Sequence, residues 1–158
     1  MFFAVVIVSG HGLPMIHDIS TDLTDPPVFV IAPTMQRDAL NSLDFDPKTA
    51  PLQQQAFPDL HGIETNETPA AAFDHAKLVA KSLGWEIYAE DAGSGRIEAV
   101  ETTKLFGFKD DVVIRVRARE GGSRIDLRSV SRVGEGDMGA NAGRIGKFVG
   151  SYSVPPSH

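Results

Sequence analysis

The fold of this chain is decided between Arg128 and Ile145, where the sequence reads RSVSRVGEGDMGANAGRI. An alternating strand pattern ends in this stretch and an amphipathic helix begins in it, which predicts a strand-to-helix corner. The corner holds three Arg, two Ser, one Asn and four Gly. Because buried polar groups need hydrogen-bond partners, this corner is the first place to look for a functional site.

Upstream of the corner, the periodicity predicts one helix and then four strands. Thr68-Pro69 is an N-cap followed by Pro at the first helical position, and Gly84 supplies the C-terminal stop. His75, at the edge of the polar side of this helix, is predicted to be an ordinary surface residue. A closing helix is predicted to begin near Asp137. Apolar and polar residues alternate along the four strands, which cover 85–90, 97–100, 111–119 and 124–132. The sequence therefore predicts an α+β fold with a four-stranded, largely antiparallel sheet.

The last two strands are predicted to form a hairpin with Gly121-Gly122 as its two-residue turn, since a type I′ turn needs positive φ at both central positions. This register places Arg115 opposite Arg128, a like-charged pair that destabilises a sheet unless an anion neutralises it. Two candidates for that anion remain open: Glu98 on the neighbouring strand, or a bound phosphate or carboxylate group. The same register sets further residues opposite one another: Ala118 and Ile125, Val116 and Leu127, Arg117 and Asp126, and Asp111 and Arg132.

On the inner face of the sheet, polar side chains from two strands and the last helix are predicted to converge at one end of the core. Two interpretations stay open: a hydrogen-bonded latch that ties helix to sheet, or a small polar pocket for a ligand. The converging side chains are Asp110, Ser129, Ser131 and Asn141. The candidate ligand-binding residues are these four together with Arg115, Arg128, Arg132 and Arg144.

The last helix has a stripe of four glycines, namely Gly139, Gly143, Gly146 and Gly150. Each costs about 0.5–1 kcal/mol relative to Ala in a helix interior. This cost predicts that another element packs closely here, either the sheet, the first helix, or a further helix in a membrane. The buried stripe of the helix is predicted to contain Met138, Ala142, Ile145, Val149 and Tyr152.

The first third of the chain differs in composition from the rest. Residues 9–67 hold most of the prolines and are predicted to form an extended arm, with one strand at 28–31. The arm or a partner protein is expected to cover Val113 and Val130 on the outer face. The apolar run at 1–8 is predicted to be an edge strand or the stub of a transmembrane helix, and 153–158 a frayed tail. The α+β domain itself is predicted to span 68–152.

The amino-acid composition excludes several classes of protein and of site. A chain of 158 residues suits one domain, and a net charge of −6 argues against nucleic-acid binding. With no Cys, disulfides and thiolate metal sites are excluded. The run Gly134–Gly139 fits G-x-G-x-x-G, but the strand and acidic residue of a dinucleotide site do not follow it. The sequence therefore predicts no cofactor and no metal site.

The corner resembles the signature of the bacterial family called domain of unknown function 1499. That family shows an F-G-F-x-D-D corner, matched here by Phe106–Asp111, followed by R-S-x-S-R-x-G-x-x-D-x-G-x-N-x-x-R-I. The matching positions of the second motif are Arg128, Ser129, Ser131, Arg132, Gly134, Asp137, Gly139, Asn141, Arg144 and Ile145. The resemblance covers about residues 68–149 and implies no established activity or catalytic residue. Because longer members carry preceding transmembrane helices, it implies association with a membrane, and this chain itself is expected to be mainly a soluble domain.

These observations favour a non-catalytic, envelope-associated domain that binds an anionic small ligand or a membrane-protein partner. A hydrolase is an alternative, with Asp110 or Asp137 as acid–base and an arginine of the corner on an oxyanion. All five His lie outside the corner, so a Ser–His pair is not evident. A purely structural interaction module is the third interpretation.

Overall fold

The computed structural model describes residues 15–137 and 139–154. It contains three α-helices, α1 (Ala50–Ala56), α2 (Pro69–Ser82) and α3 (Ala140–Ser153). Six strands form one antiparallel sheet: β1 (Asp18–Ser20), β2 (Ile63–Thr65), β3 (Glu86–Asp91), β4 (Arg96–Thr102), β5 (Lys109–Arg119) and β6 (Gly122–Ser131). The fold is thus α+β and has the predicted C-terminal helix, but the prediction of four strands is wrong.

The two additional strands come from the Pro-rich arm. The sheet order is β1-β6-β5-β4-β3, and β2 pairs with the same edge of β6 as β1 does. Each of the two strands has three residues, too few for an alternating pattern to show in the sequence. Together they cover an edge of β6 that would otherwise expose unpaired backbone groups.

The strand predicted at 28–31 does not form. The backbone N–H groups of Val30, Ile31 and Ala32 instead donate to the carboxylate of Glu98, at distances between 2.9 and 3.3 Å. One buried carboxylate therefore takes the place of a neighbouring strand. Phe29 and Ala32 pack against Val113 and Val130, so the arm covers the outer face of the sheet.

The β5–β6 register differs from the predicted one by two residues. Arg119 pairs with Gly122, so Glu120 and Gly121 form the turn, and Arg115 lies opposite Asp126. A shift of two keeps every side chain on its predicted face, which explains why the pattern alone could not detect it. Gly122 lies in β6, and glycine is required there because a Cβ would overlap the carbonyl oxygen of Thr65 in β2.

Helices α2 and α3 pack on the inner face of the sheet. The Thr68 hydroxyl caps α2 by accepting a hydrogen bond from Ala71 N at 3.2 Å, and Gly84 follows the helix with φ of +83°. Both helix-end signals are confirmed. Apolar side chains from both helices, four strands and the arm share one core, whose largest fully buried members include Phe148, Ile97, Ile114, Leu127 and Ile145.

The start of α3 corrects two predictions. The helix begins at Ala140, and Gly139 precedes it with φ of +87°, a conformation that favours glycine. Asp137 still caps the free backbone N–H groups at the start of the helix, because its carboxylate accepts hydrogen bonds from Gly139 N and Asn141 N, each at 2.8 Å.

A Cβ added at Gly143 or Gly150 would meet nothing within 4 Å, so the prediction that another element packs closely against these two glycines is wrong.

Several predictions fall on residues outside the described ones: the apolar run at 1–8, Met138 and the end of the tail. Within residues 15–137 and 139–154, no helix combines the length and apolar character needed to cross a membrane.

Candidate functional site

The inner polar side chains meet between β5, β6 and α3, as the sequence predicts. The Ser129 hydroxyl donates to Asn141 Oδ1 at 2.5 Å, and Asn141 Nδ2 donates to Ser131 Oγ at 2.9 Å. Arg144 completes this polar cluster by donating to Asn141 Oδ1 at 2.7 Å and to Ser129 Oγ at 3.1 Å. Asn141 also reaches the carbonyl of His17 at 3.2 Å, which ties the start of the arm to α3.

Asp110 supplies the negative charge of the polar cluster. Its carboxylate lies 2.7 Å from a terminal guanidinium nitrogen of Arg144. Burial raises the pKa of Asp110 above its usual value, although Arg144 and Ser131 both act to lower that pKa. Because the five side chains are buried and bonded to one another, the geometry favours the latch interpretation over a ligand pocket.

Arg128 is also bonded within the chain. Its guanidinium donates to both carboxylate oxygens of Asp18, at 2.9 and 2.7 Å, and to the arm carbonyls of Pro27 and Leu43. The rings of Phe29 and Phe45 lie 5.4 and 5.6 Å from it. The anion that neutralises Arg128 is therefore Asp18 of β1, and neither Glu98 nor a bound ligand is needed.

Arg115 does not face Arg128, which removes the like-charged pair that the sequence predicts. It lies 3.0 Å from Asp22 and 3.5 Å from Asp126, and it donates to the carbonyl of Asp25 at 2.8 Å. Burial raises the pKa of Asp22, but backbone hydrogen bonds and Arg115 outweigh it, so this pKa lies below its usual value. Arg115 therefore fixes the arm to β5.

Arg132 makes the contact with Asp111 that the sequence predicts, although the two are not opposite in the ladder. Two hydrogen bonds of 2.9 and 3.0 Å join them, and Arg37 and the Tyr88 hydroxyl reach the same carboxylate at 3.1 Å. Burial and the charge of Asp111 raise the pKa of Tyr88, so the phenol stays protonated and donates. The chain's own residues therefore hold the Asp111 carboxylate, and one terminal nitrogen of Arg37 is left without a hydrogen-bond partner among the described residues.

A different region remains open beside these arginines. A groove of about 680 Å³ runs between the end of α2, the end of β4 and the start of α3. Its cations are Lys104, Lys147 and Arg144, and Glu101 is its one acidic lining residue. The remaining lining residues are Ser82, Leu83, Gly84, Trp85, Thr102, Thr103, Ala140 and Gly143. A hollow of about 650 Å³ at the other end of α2 has Asp74 as its one charged lining residue.

Two buried N–H groups of the groove residues have no acceptor among the residues that the structure describes. They are Trp85 Nε1 and Arg144 Nε, on side chains of residues that are 4% and 5% exposed. Arg144 Nε lies 3.3 Å from Glu101 Oε1, but this contact lacks the geometry of a hydrogen bond. An unpaired buried donor costs free energy and needs an explanation, such as a bound group or a water molecule.

Sequence reasoning missed Lys104, Lys147 and the part that Trp85 plays. The two lysines are far apart in the chain and each reads as an ordinary exposed residue. Only the packing of α3 beside the end of β4 brings them to one groove. An aromatic residue directly after a helix stop was the one available signal, because a buried indole N–H needs a partner.

His75 has more contacts than the predicted surface role implies. Its Nδ1 lies 3.1 Å from a carboxylate oxygen of Glu67, and its ring stacks on Tyr152 with centroids 3.7 Å apart. The Tyr152 hydroxyl donates to Glu67 at 2.5 Å. These three residues join the segment before α2 to α3.

Fold and site define a small α+β domain in which an N-terminal arm completes the sheet and α3 borders an open cationic groove. The family described as Protein of unknown function (DUF1499) matches residues 18–151. The chain belongs to this family. No curated protein matches the chain.

Proposed function

We propose that this domain binds a small anionic ligand in the groove between α2 and α3 and does not transform it. One observation carries the proposal: Trp85 and Arg144 line the groove, and each has a buried N–H without an acceptor in the described part of the chain. Lys104 and Lys147 add two exposed cations that carry no ion pair within the described residues. Carboxylate and phosphate groups suit such a set of donors.

The position of the groove supports the same proposal. Gly143 leaves the backbone of α3 without a side chain at the groove, because a Cβ there would meet only open space. Arg144 lines the groove and is also paired with Asp110 in the polar cluster. An anion has open space beside the helix at Gly143, whereas Arg144 already lies next to two carboxylates, those of Asp110 and Glu101.

The hydrolase alternative has less support. Both carboxylate oxygens of Asp137 accept backbone N–H groups at the start of α3, and Asp110 is bound to Arg144 inside the polar cluster. Of the three arginines that the hydrolase alternative places on an oxyanion, Arg128 and Arg132 hold Asp18 and Asp111, and Arg144 holds Asp110. Among these three, Arg144 alone keeps a buried N–H without an acceptor in the described residues.

The cellular setting is part of the proposal. We infer a bacterial, envelope-associated protein from the resemblance to longer family members in which membrane helices precede this domain. Expression of the gene in its native host, followed by separation of membrane and soluble fractions, tests this inference. Recovery of the protein in the soluble fraction alone would contradict it.

Ligand binding is tested by thermal unfolding of the full chain with inorganic phosphate or citrate, against sodium chloride at equal ionic strength. A ligand that binds only the folded state raises the midpoint, by an amount set by RT ln(1 + [L]/Kd). We expect the rise for the wild type and its loss in Lys104→Ala with Lys147→Ala.

The matched control removes two cations outside the groove, Lys48→Ala with Arg117→Ala, and should keep the full rise. Equal responses of both double variants would contradict a site in the groove. No response of the wild type to either anion would favour the purely structural interaction module.

A further inference from the structure

The loop between β4 and β5 is a tight turn held by its own hydrogen bonds. Thr103 N donates to the Phe108 carbonyl at 2.7 Å, and Phe108 N donates to the Thr103 hydroxyl at 2.9 Å. Gly107, with φ of +68°, donates to the Thr103 carbonyl at 3.0 Å. These hydrogen bonds therefore hold the backbone of the turn.

Those side chains are apolar and exposed. Leu105 is 81% exposed, Phe106 71% and Phe108 52%, and the two phenyl rings lie 5.7 Å apart. An ordered turn with three large apolar side chains exposed to water indicates a surface that contacts a partner or a membrane when the protein functions.

The topology gathers further apolar residues at the same end of the sheet. Because neighbouring strands are antiparallel, the β4–β5 turn lies at the end where β6 finishes and β1 begins. Met15, just before β1, is 68% exposed, and Leu40, whose N–H donates to the Arg132 carbonyl after β6, is 88% exposed. One end of the molecule therefore carries five of these side chains.

The charge of the turn differs from that of the whole protein. Lys104 and Lys109 bracket the apolar residues, and the segment 103–109 contains no acidic residue, whereas the chain has a net charge of −6. Exposed acidic residues at this end, Asp38 and Glu135, belong to neighbouring loops. A turn with lysines beside apolar side chains matches a surface that is negative outside and apolar beneath.

We propose that the 103–109 turn docks this domain on an anionic lipid bilayer. Leu105, Phe106 and Phe108 insert among the lipid headgroups, and Lys104 and Lys109 lie against the lipid phosphates. A protein partner fits less well, because stable interfaces bury about 800 Å² on each side and need a broad complementary surface. Here three of the five exposed apolar side chains project from one turn of six residues, Thr103–Phe108, and Met15 and Leu40 come singly from separate segments.

The test is co-sedimentation of the full chain with vesicles of phosphatidylcholine alone or with one-quarter phosphatidylglycerol. We expect the wild type to bind the mixed vesicles and Phe106→Ser with Phe108→Ser to bind at least tenfold more weakly. Val28→Ser with Val30→Ser removes two exposed apolar side chains from the arm and should bind within twofold of the wild type.

A second variant tests the charges. Lys104→Glu with Lys109→Glu should abolish the preference for the mixed vesicles, whereas Lys48→Glu should keep it. Circular dichroism of each variant separates lost docking from lost folding. Phe106→Trp gives an independent readout, as a blue-shifted emission with the mixed vesicles.

Three results would overturn the proposal: no binding by the wild type, undiminished binding by the Phe106/Phe108 variant, or an unshifted emission from a Phe106→Trp variant that binds. A wild-type dimer in size-exclusion chromatography that the Phe106/Phe108 variant loses, without vesicle binding, would assign the turn to a second copy of this chain. The proposal shares Lys104 with the groove, and two variants separate them: the Phe106/Phe108 variant should keep its thermal response to phosphate, and Lys147→Ala should keep vesicle binding.

Discussion

The outer face of the sheet and the groove beside α3 both contain arginines from the same corner of the sequence, but their donors have different partners. Arg128 and Arg132 are bound by Asp18 and Asp111 inside the protein. In the groove, Arg144 has an N–H without an acceptor among the described residues, and two lysines lie exposed. Arginine density in a sequence therefore does not locate a ligand site. Buried donors without an acceptor in the described part of the chain also occur outside the groove, at Arg37 and Arg115, so an open groove beside the donor is needed as a second observation.

The largest expected effect is on the closed side of this comparison. Arg128→Leu leaves Asp18 buried without a counter-charge and releases the arm carbonyls of Pro27 and Leu43. Removing one partner of a buried ion pair costs about 3–5 kcal/mol of unfolding free energy. Urea denaturation followed by circular dichroism measures it.

Arg117→Leu is the control for Arg128→Leu, because Arg117 pairs with Asp25 on the surface. A loss below about 1 kcal/mol is expected there. Should Arg128→Leu not fold, Asp18→Asn combined with it removes the unpaired charge and should restore part of the stability. Similar losses for Arg117 and Arg128 would contradict an outer face on which buried ion pairs hold the arm.

The polar cluster should show the next largest effect. Asn141→Ala removes the acceptor of Ser129 and Arg144 and the donor to Ser131. Leaving buried polar groups unsatisfied costs about 1–3 kcal/mol, measured again by urea denaturation. Asn66→Ala, at an exposed position, is the control and should be neutral. A neutral Asn141→Ala would show that the cluster is not a latch.

The Glu67 contacts predict a dependence on pH. Burial raises the pKa of Glu67, but hydrogen bonds from Tyr152, Thr65 and His75 together lower it below the usual 4.5. Because the folded-state pKa is the lower one, the stabilisation is present above pH 4.5 and is lost as the pH falls through the folded-state pKa.

Unfolding free energies of the wild type and Tyr152→Phe between about pH 6 and pH 3 measure this contribution. Tyr152→Phe should lower stability near neutral pH and flatten the decline in acid. Asp110 has the opposite effect in both proteins. Because its pKa is raised in the folded state, its contribution to the unfolding free energy increases as the pH falls. The difference between the two curves therefore isolates Glu67, and parallel curves would contradict the prediction.

The smallest effect concerns the glycines of α3. Gly143→Ala should raise stability by about 0.5–1 kcal/mol, because alanine is the better helix former and its Cβ has open space. Gly150→Ala should give the same gain, but Gly143 borders the groove and Gly150 does not line it. Weaker phosphate binding in Gly143→Ala alone, by the thermal-shift assay, would support a ligand that approaches the helix there. Equal binding in both variants would argue against it.

Much of the fold was predictable because the signals are local. The cap at Thr68, the stop at Gly84 and the alternation of the four main strands depend on neighbouring residues. The β5–β6 register was wrong by two because Gly122, which reads as a turn residue, is required by the approach of Thr65 from a distant segment. The arm's short strands carried no pattern, since each has three residues.

The candidate site was predictable only in part. The sequence brought Asp110, Ser129, Ser131 and Asn141 to one place, because strand and helix periodicity fix which face each residue occupies. The sequence could not show that these side chains would form hydrogen bonds with one another rather than with a ligand. The groove stayed hidden for the same reason, since Lys104 and Lys147 meet through packing alone.

The α+β class, the order of the main helices and strands, and the inward and outward faces of β5 and β6 follow from the amino-acid sequence alone. Periodicity and capping are local, so those features needed no knowledge of distant contacts. Which charged side chains pair with one another is visible only in the folded protein. Asp18 lies 110 positions from Arg128 in the chain, and the pairing of residues so far apart depends on how the arm folds back over the sheet. The groove beside α3 is lined by Trp85 and Arg144, each with a buried N–H that has no acceptor among the described residues.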